Sequence, residues 1–142
     1  MRVVLDANVM VSGLISRQGP PDHILNKWLS GHFQLFVSPQ ILDELRRVLR
    51  YPRIYERLPK EQTAELLNKI GVAAEVLAGT IKLDVLTIDP SDNIYLSCAV
   101  EAKTDYLVTG NRDHFEEAGA KIRGVRIISP RVFLDILKSE QQ

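Results

Sequence analysis

Along the chain, short runs of aliphatic and β-branched residues alternate with longer stretches whose apolar positions recur every three or four residues. The short runs are RVVL, FQLFV, DYLVT and VRIIS, and each predicts a buried strand. Between the first two, DHILNKWLSGH places Ile24, Leu25, Trp28 and Leu29 on one stripe and predicts a helix. SPQILDELRRVL announces a helix at its first letters, with Ser38 as cap and Pro39 at the first helical position. KEQTAELLNKIGVAAEVL predicts another, with Gly71 as the one place where it could be interrupted. AGTIKLDVLTI is ambiguous and is read as holding one strand. SDNIYLSCAVEAK and SPRVFLDILKS predict the last two helices. Strands alternating with helices imply a mostly parallel sheet covered on both faces, a three-layer α/β/α sandwich. No repeat, low-complexity tract or Ser/Gly linker divides the chain, so residues 1–142 are expected to form a single domain.

Composition narrows the possibilities. Hydrophobic residues at 45% and charged residues at 25% are the balance of a soluble globular protein. The formal net charge is zero, so no global field draws the chain onto nucleic acid, and any polyanion site must be a local patch. The single cysteine, Cys98, excludes an internal disulfide and a Cys-rich zinc site; its context, YLSCAV, is that of an inert core residue. No apolar stretch approaches the roughly 20 residues of a membrane helix. Asp6 breaks the apolar run at the N-terminus, so no signal peptide is expected there, and the cytoplasm is the expected location. Basic residues gather in ELRRVLRYPRIYERLPK. They form either a solvated helical face or a local phosphate-binding patch.

The candidate chemistry lies at strand ends. In open parallel sheets, sites form beyond the carboxyl ends of the strands. Asp6 and Asn8 follow the first strand and Ser38 the second; Asp89 and Asp92 follow LTI; Thr109, Asn111 and Asp113 follow DYLVT. Asp105 starts its strand and belongs to the opposite edge. Helical geometry sorts the rest. Glu44 borders the apolar stripe of Ile41, Leu45 and Val48 and faces inward, whereas Asp43 points outward, where it can pair with Arg47. Asp92 opens its helix on the side carrying Tyr95, Leu96 and Ala99, and Glu101 points away.

Three carboxylates, Asp6, Glu44 and Asp92, are thus expected to converge from distant segments, with Asn111 and Asp113 nearby. Each has a structural alternative: Asp6 can cap a turn, Glu44 can pair with Arg47, and Asp92 can cap its helix. Crowded together without counter-charge, they would raise one another's pKa. A hard divalent cation, Mg²⁺ or Mn²⁺, would resolve the repulsion, because both take oxygen ligands. Such a site suits phosphodiester hydrolysis. No phosphate-binding loop, dinucleotide fingerprint or H-E-x-x-H motif competes. His23 and His32 are expected at the surface or at caps, and His114 in packing near the site.

These residues carry a family resemblance. VVLDANVMVSGL, SPQILDELRRVL, DPSDNIYLSCAV and DYLVTGNRDHF, in this order and spanning nearly the whole chain, resemble a PIN domain of the kind found in VapC-type toxins of toxin–antitoxin pairs. The resemblance implies a parallel sheet sandwiched by helices and Mg²⁺- or Mn²⁺-dependent ribonuclease activity. It also implies an RNA substrate, an antitoxin partner and a homodimer. It maps the acids to Asp6, Glu44 and Asp92, with a fourth position near Asn111 or Asp113 and with Asn8, Ser38 and Thr109 as polar support. Where the family often has an acid after the T-G pair, this chain has Asn111, which neutralises less charge, and Asp113 is the expected compensation. Arg46, Arg47 and Arg50 share a helix with Glu44 and are the candidates for RNA contact. Two other readings stand beside this one. A haloacid-dehalogenase-type phosphatase would use Asp6 as nucleophile, but its D-x-D pattern meets Asn8 here. A PIN-like module that binds RNA or a partner without catalysis is the other.

Overall fold

The computed structural model describes residues 1–119 and 121–140; the expected 1–142 span therefore includes Ala120, Gln141 and Gln142, which lie outside the described residues. The strands are β1 (Arg2–Leu5), β2 (Gln34–Val37), β3 (Glu75–Val76), β4 (Tyr106–Val108), β5 (Lys121–Ile122) and β6 (Val125–Ile128). The helices are α1 (Ala7–Ile15), α2 (Pro20–Leu29), α3 (Pro39–Leu49), α4 (Pro52–Tyr55), α5 (Lys60–Ala73), α6 (Asn93–Glu101) and α7 (Pro130–Glu140). Two 3₁₀ turns, Pro90–Asp92 and Arg112–Ala118, complete the order. The sheet runs β3-β2-β1-β4-β6-β5, with every pair parallel except β5 with β6.

Burial shows why the strands carry no polar face. Successive strand residues point to opposite faces, yet Val3, Val4 and Leu5 are all fully buried, as are Leu35 and Val37 in β2 and Leu107 and Val108 in β4. Both faces of the central strands are therefore covered. α6 packs across β1, β2 and β4, while α1 lies against α2 and α3, and α2 against α7. Phe133 of α7 meets Phe33 edge-on and stacks near Tyr106. No helix among the described residues is long and apolar enough to cross a membrane.

Five elements, β3 among them, were not visible in the pattern. α1 is apolar nearly all round, with Ala7, Val9, Met10, Val11 and Gly13 buried, so it offers no stripe to read. α4 and β5 are a single turn and a two-residue pairing, and the turn over 112–118 is 3₁₀ throughout. Gly71 does not interrupt α5, which runs on to Ala73 and stops well before Leu77; Glu75–Val76 then pairs with β2. At Gly71 nothing approaches the position a Cβ would take. The residue is exposed on the helix, where glycine costs only about 1 kcal/mol.

The strand expected within residues 78–88 does not form. This segment is extended and alternates half-buried Ile81, Leu83 and Val85 with exposed Lys82 and Asp84, but its partner is a helix. Asn93, Ser97 and Glu101 stand at four-residue intervals along α6, on one face. Glu101 accepts hydrogen bonds from the Gly79 and Ile81 N–H groups, Ser97 from Leu83, and Asn93 from Val85 and Leu86. The Asn93 amide also donates to the Leu86 and Pro90 carbonyls. Side chains of α6 thus replace a neighbouring strand.

Asn93→Ala should therefore destabilise the protein by about 2–4 kcal/mol, since it leaves several partly or fully buried backbone groups without partners. Denaturant unfolding together with hydrogen exchange at the Val85 and Leu86 amides would measure this. A loss below about 0.5 kcal/mol would mean that the apolar residues alone hold the segment.

Candidate metal centre

The strand order reverses between β1 and β4: the chain proceeds from β1 outward to β2 and β3, then returns to β4 on the other side of β1 and continues to β6. Parallel sheets open a crevice at such a switch point. Asp6 directly follows β1 and Thr109 directly follows β4.

Asp6 is 3% exposed. Its Oδ1 caps α1 by accepting the Val9 N–H at 2.8 Å, and its Oδ2 accepts the Thr109 hydroxyl proton. Thr109 Oγ1 in turn accepts the Asn111 N–H at 3.0 Å. Burial pushes the Asp6 pKa above the ordinary carboxylate value, the Thr109 and Val9 hydrogen bonds oppose that shift, and the charge of Asp92 adds to it. Asp92 ends the 3₁₀ turn that leads into α6. Its pKa is also raised, mainly by burial and further by the charges of Asp89 and Glu44, while the hydrogen bond to His114 works against the rise. Glu44 extends from α3 with its side chain 20% exposed. The Tyr95 hydroxyl accepts the Ala7 N–H at 3.2 Å and feels Asp6, Glu44 and Asp92 together; burial holds it protonated. The three acids therefore all lie within electrostatic reach of one tyrosine hydroxyl.

Some expected positions turn out differently. Asp43 pairs with Arg46 rather than Arg47. Arg47 instead grips Glu44, with its Nη2 2.7 and 2.8 Å from the two carboxylate oxygens, and reaches the Tyr51 hydroxyl at 2.7 Å. Arg46, Arg47 and Arg50 are all exposed on α3. Ser38 caps α3 through the Ile41 N–H; it lies beside the Cys98 thiol, whose pKa burial pushes up to about 12. Asn8 is exposed in the first turn of α1, and its backbone N–H also favours the charged form of Asp6. Asn111 meets Thr109 through its backbone. Asp113 is exposed and lines a shallow hollow with Phe115, Glu116 and Ile127.

His114, expected in packing, stands among the acids instead. Its Nδ1 lies 2.9 Å from Asp92 Oδ2 and 3.9 Å from Asp89 Oδ2. Asp92 raises its pKa. Asp89 accepts from the Ser91 N–H and hydroxyl, which hold its pKa down. Among the described residues, Asp89, Asp92 and His114 are the group whose ligand atoms all lie within 4.8 Å of one another. Asp89 was legible as an acid one helical turn before Asp92. No local pattern links His114 to either, because they meet only after 22 intervening steps of chain.

The donor set fits a hard divalent cation. Asp6 and Asp92 are held above their ordinary pKa by burial and by neighbouring negative charge, the condition a dication relieves. Oxygen donors dominate, and the Thr109 and Val9 hydrogen bonds fix the Asp6 carboxylate in place.

Comparison with known proteins agrees with this architecture. An uncharacterized protein of Methanocaldococcus jannaschii, MJ1680, is 25% identical over 142 aligned positions, covering 95% of this chain and 90% of that protein. Among solved structures, VapBC2 from Rickettsia felis, crystallised bound to a DNA fragment from its promoter, superposes with a TM-score of 0.62 at 18% identity. That match covers 91% of this chain and 98% of the other. PAE2754 from Pyrobaculum aerophilum also superposes with a TM-score of 0.62, at 16% identity, covering 98% and 90%. The PIN domain profile matches residues 2–113, most of the chain and all four of its acidic segments, so this protein belongs to the PIN domain family.

Proposed function

We propose that this protein is a divalent-metal-dependent endoribonuclease and the toxin component of a toxin–antitoxin pair. The observation that carries the reading is that Asp6, Glu44 and Asp92, from three separate segments, lie within electrostatic reach of one another and of Tyr95 near the switch point of the sheet, with Asp6 and Asp92 both raised in pKa. PIN domains are in general nucleases that use divalent metals. Membership of the family supports the hydrolase, and the likeness to a VapBC protein supports the antitoxin partner. A homodimer and a cytoplasmic location complete the proposal.

In this reading Asp6, Glu44 and Asp92 hold Mg²⁺ or Mn²⁺, with Asn111 or Asp113 as outer support. Bound there, such an ion would lower the pKa of water and offset the negative charge of a phosphodiester. The chain's own residues do the rest. Thr109 orients Asp6 by donating its hydroxyl proton to Oδ2. Tyr95 stays protonated and adds no negative charge beside the acids. Glu44 is shared with Arg47, so release of Arg47 would free a guanidinium for the RNA backbone, with Arg46 and Arg50 beside it on α3. The phosphatase alternative is weaker: both Asp6 oxygens already accept hydrogen bonds, which leaves a poor nucleophile.

Single-stranded RNA should be cleaved in the presence of Mg²⁺ or Mn²⁺, and both EDTA and Asp92→Asn should reduce the rate by ~10²-fold or more. Cleavage that persists in EDTA would overturn the metal-dependent reading. Binding of RNA with no cleavage under any metal would favour the non-catalytic module.

A second outcome follows from the burial of Asp6. Its folded pKa lies above the unfolded one, so the folded state binds more protons, and charging Asp6 costs stability. That cost sets in as pH rises from the ordinary carboxylate value through the raised one, is complete above it, and vanishes at lower pH. At neutral pH the metal-free Asp6→Asn variant should therefore melt a few degrees higher than wild type, with the difference gone near pH 3. Added Mg²⁺ should stabilise wild type alone. Thermal melts at both pH values, with and without metal, test this; a less stable variant at neutral pH would contradict it.

A further inference from the structure

The extended segment that α6 holds in place has a second edge, and that edge is open. On the inner side, the Gly79 and Ile81 N–H groups go to Glu101, Leu83 to Ser97 and Val85 to Asn93. Alternate residues of an extended chain point their N–H and C=O groups to opposite sides. Lys82 and Asp84 therefore turn theirs away from α6, and neither backbone has a hydrogen-bond partner among the described residues. Both residues are exposed, between half-buried Ile81, Leu83 and Val85. The inner bonds already keep the segment extended at the surface, so a pairing strand has little backbone order left to impose.

An open edge of this kind accepts another extended segment by backbone pairing, and charges on it restrict which segment fits. Here the charges are Lys82 and Asp84, two residues apart and opposite in sign. Antiparallel pairing of the segment with itself, about a two-fold axis at Leu83, sets Lys82 opposite Asp84 of a second copy and Asp84 opposite its Lys82. These are the two residues whose backbone groups are open, so each opposed pair can exchange both of its N–H···O=C bonds. Moving the axis to residue 82 sets Lys against Lys, and moving it to residue 84 sets Asp against Asp; like charges directly opposite disfavour both. The charge pattern therefore selects one register, and the strand that satisfies it is the same strand. We propose that a second copy of this chain docks on the open edge at Lys82 and Asp84, in a two-fold antiparallel strand pair centred on Leu83. This interface rests on the homodimer proposed above and is independent of the metal chemistry.

Sedimentation velocity on the full-length, metal-free protein reads the association. Lys82→Asp sets Asp against Asp at both ends of the pair, and Asp84→Lys sets Lys against Lys, so each change should weaken dimerisation ~10-fold or more. The double variant, Lys82→Asp with Asp84→Lys, restores opposite charges and should associate as wild type does. An equimolar mixture of the two single variants should also associate, as a heterodimer, although each alone associates weakly. Mild oxidation reads the register. Leu83→Cys should cross-link to its own copy, because opposed residues on the axis bring their Cα atoms to about 4.5 Å, within disulfide reach. Lys82→Cys should not, since it faces Asp84, and Cys98 is buried and does not compete. A dimer that both single swaps leave at wild-type strength would overturn this interface and leave the homodimer to another face. So would cross-linking at Lys82→Cys in place of Leu83→Cys. A chain that stays monomeric at every concentration would overturn both the interface and the homodimer.

Discussion

One hydrogen bond ties this structure together: the Thr109 hydroxyl to the Asp6 carboxylate, across the crevice where the strand order reverses. β1 and β4 are adjacent parallel strands, so their carboxyl ends lie side by side, and each is followed by the residue that reaches the other. The same carboxylate caps α1, and the same hydroxyl receives the Asn111 N–H that starts the next turn. A buried anion with every oxygen engaged costs more than an apolar residue would. Its presence is therefore best explained by use, and the raised pKa of Asp6 is the physical trace of that cost.

α6 serves both the fold and the site. Its N-terminal end presents Asp92, and its inner face presents Tyr95 to the acids. Another face, with Asn93, Ser97 and Glu101, holds the extended segment that leads to Asp89. Glu101 is held below its ordinary pKa by the backbone N–H groups it receives, so it is a structural anion with its charge fully used. The distinction between Glu101 and Asp92 is one of partners. Backbone donors satisfy the first; the second faces other acids and a histidine.

The strands and long helices were legible because burial on both sheet faces forces continuous apolar runs, and because Ser38 and Pro39 mark a helix start without reference to anything distant. The inward turn of Glu44 followed from helical spacing alone. What the pattern did not show depends on partners. The 78–88 segment alternates as a strand does, and alternation cannot say whether the N–H groups pair with a strand or with α6. Whether Arg47 goes to Asp43 or to Glu44 is decided by the relative placement of two neighbouring acids on one helix, and both spacings are compatible with pairing. His114 meets Asp92 through the 3₁₀ turn, a conformation that leaves no period in the sequence.

Charge balance at the cleft follows from these placements. Among the described residues, Glu44 is paired with Arg47, and Asp89 and Asp92 with His114, in a chain whose net charge is zero. A polyanion approaching such a pocket would be repelled at short range, because partly buried charges are poorly screened. On the proposed reading, then, cations must occupy the cleft before a phosphodiester can. Their arrival would change the state of Arg47, the arginine paired with Glu44. If a dication shared Glu44, the bidentate pair with Arg47 would lose much of its attraction, and the guanidinium, more than half exposed, would be freed at the rim. On that reading, filling of the metal site and exposure of a phosphate-binding group would be the same event, with Glu44 as the residue that couples them.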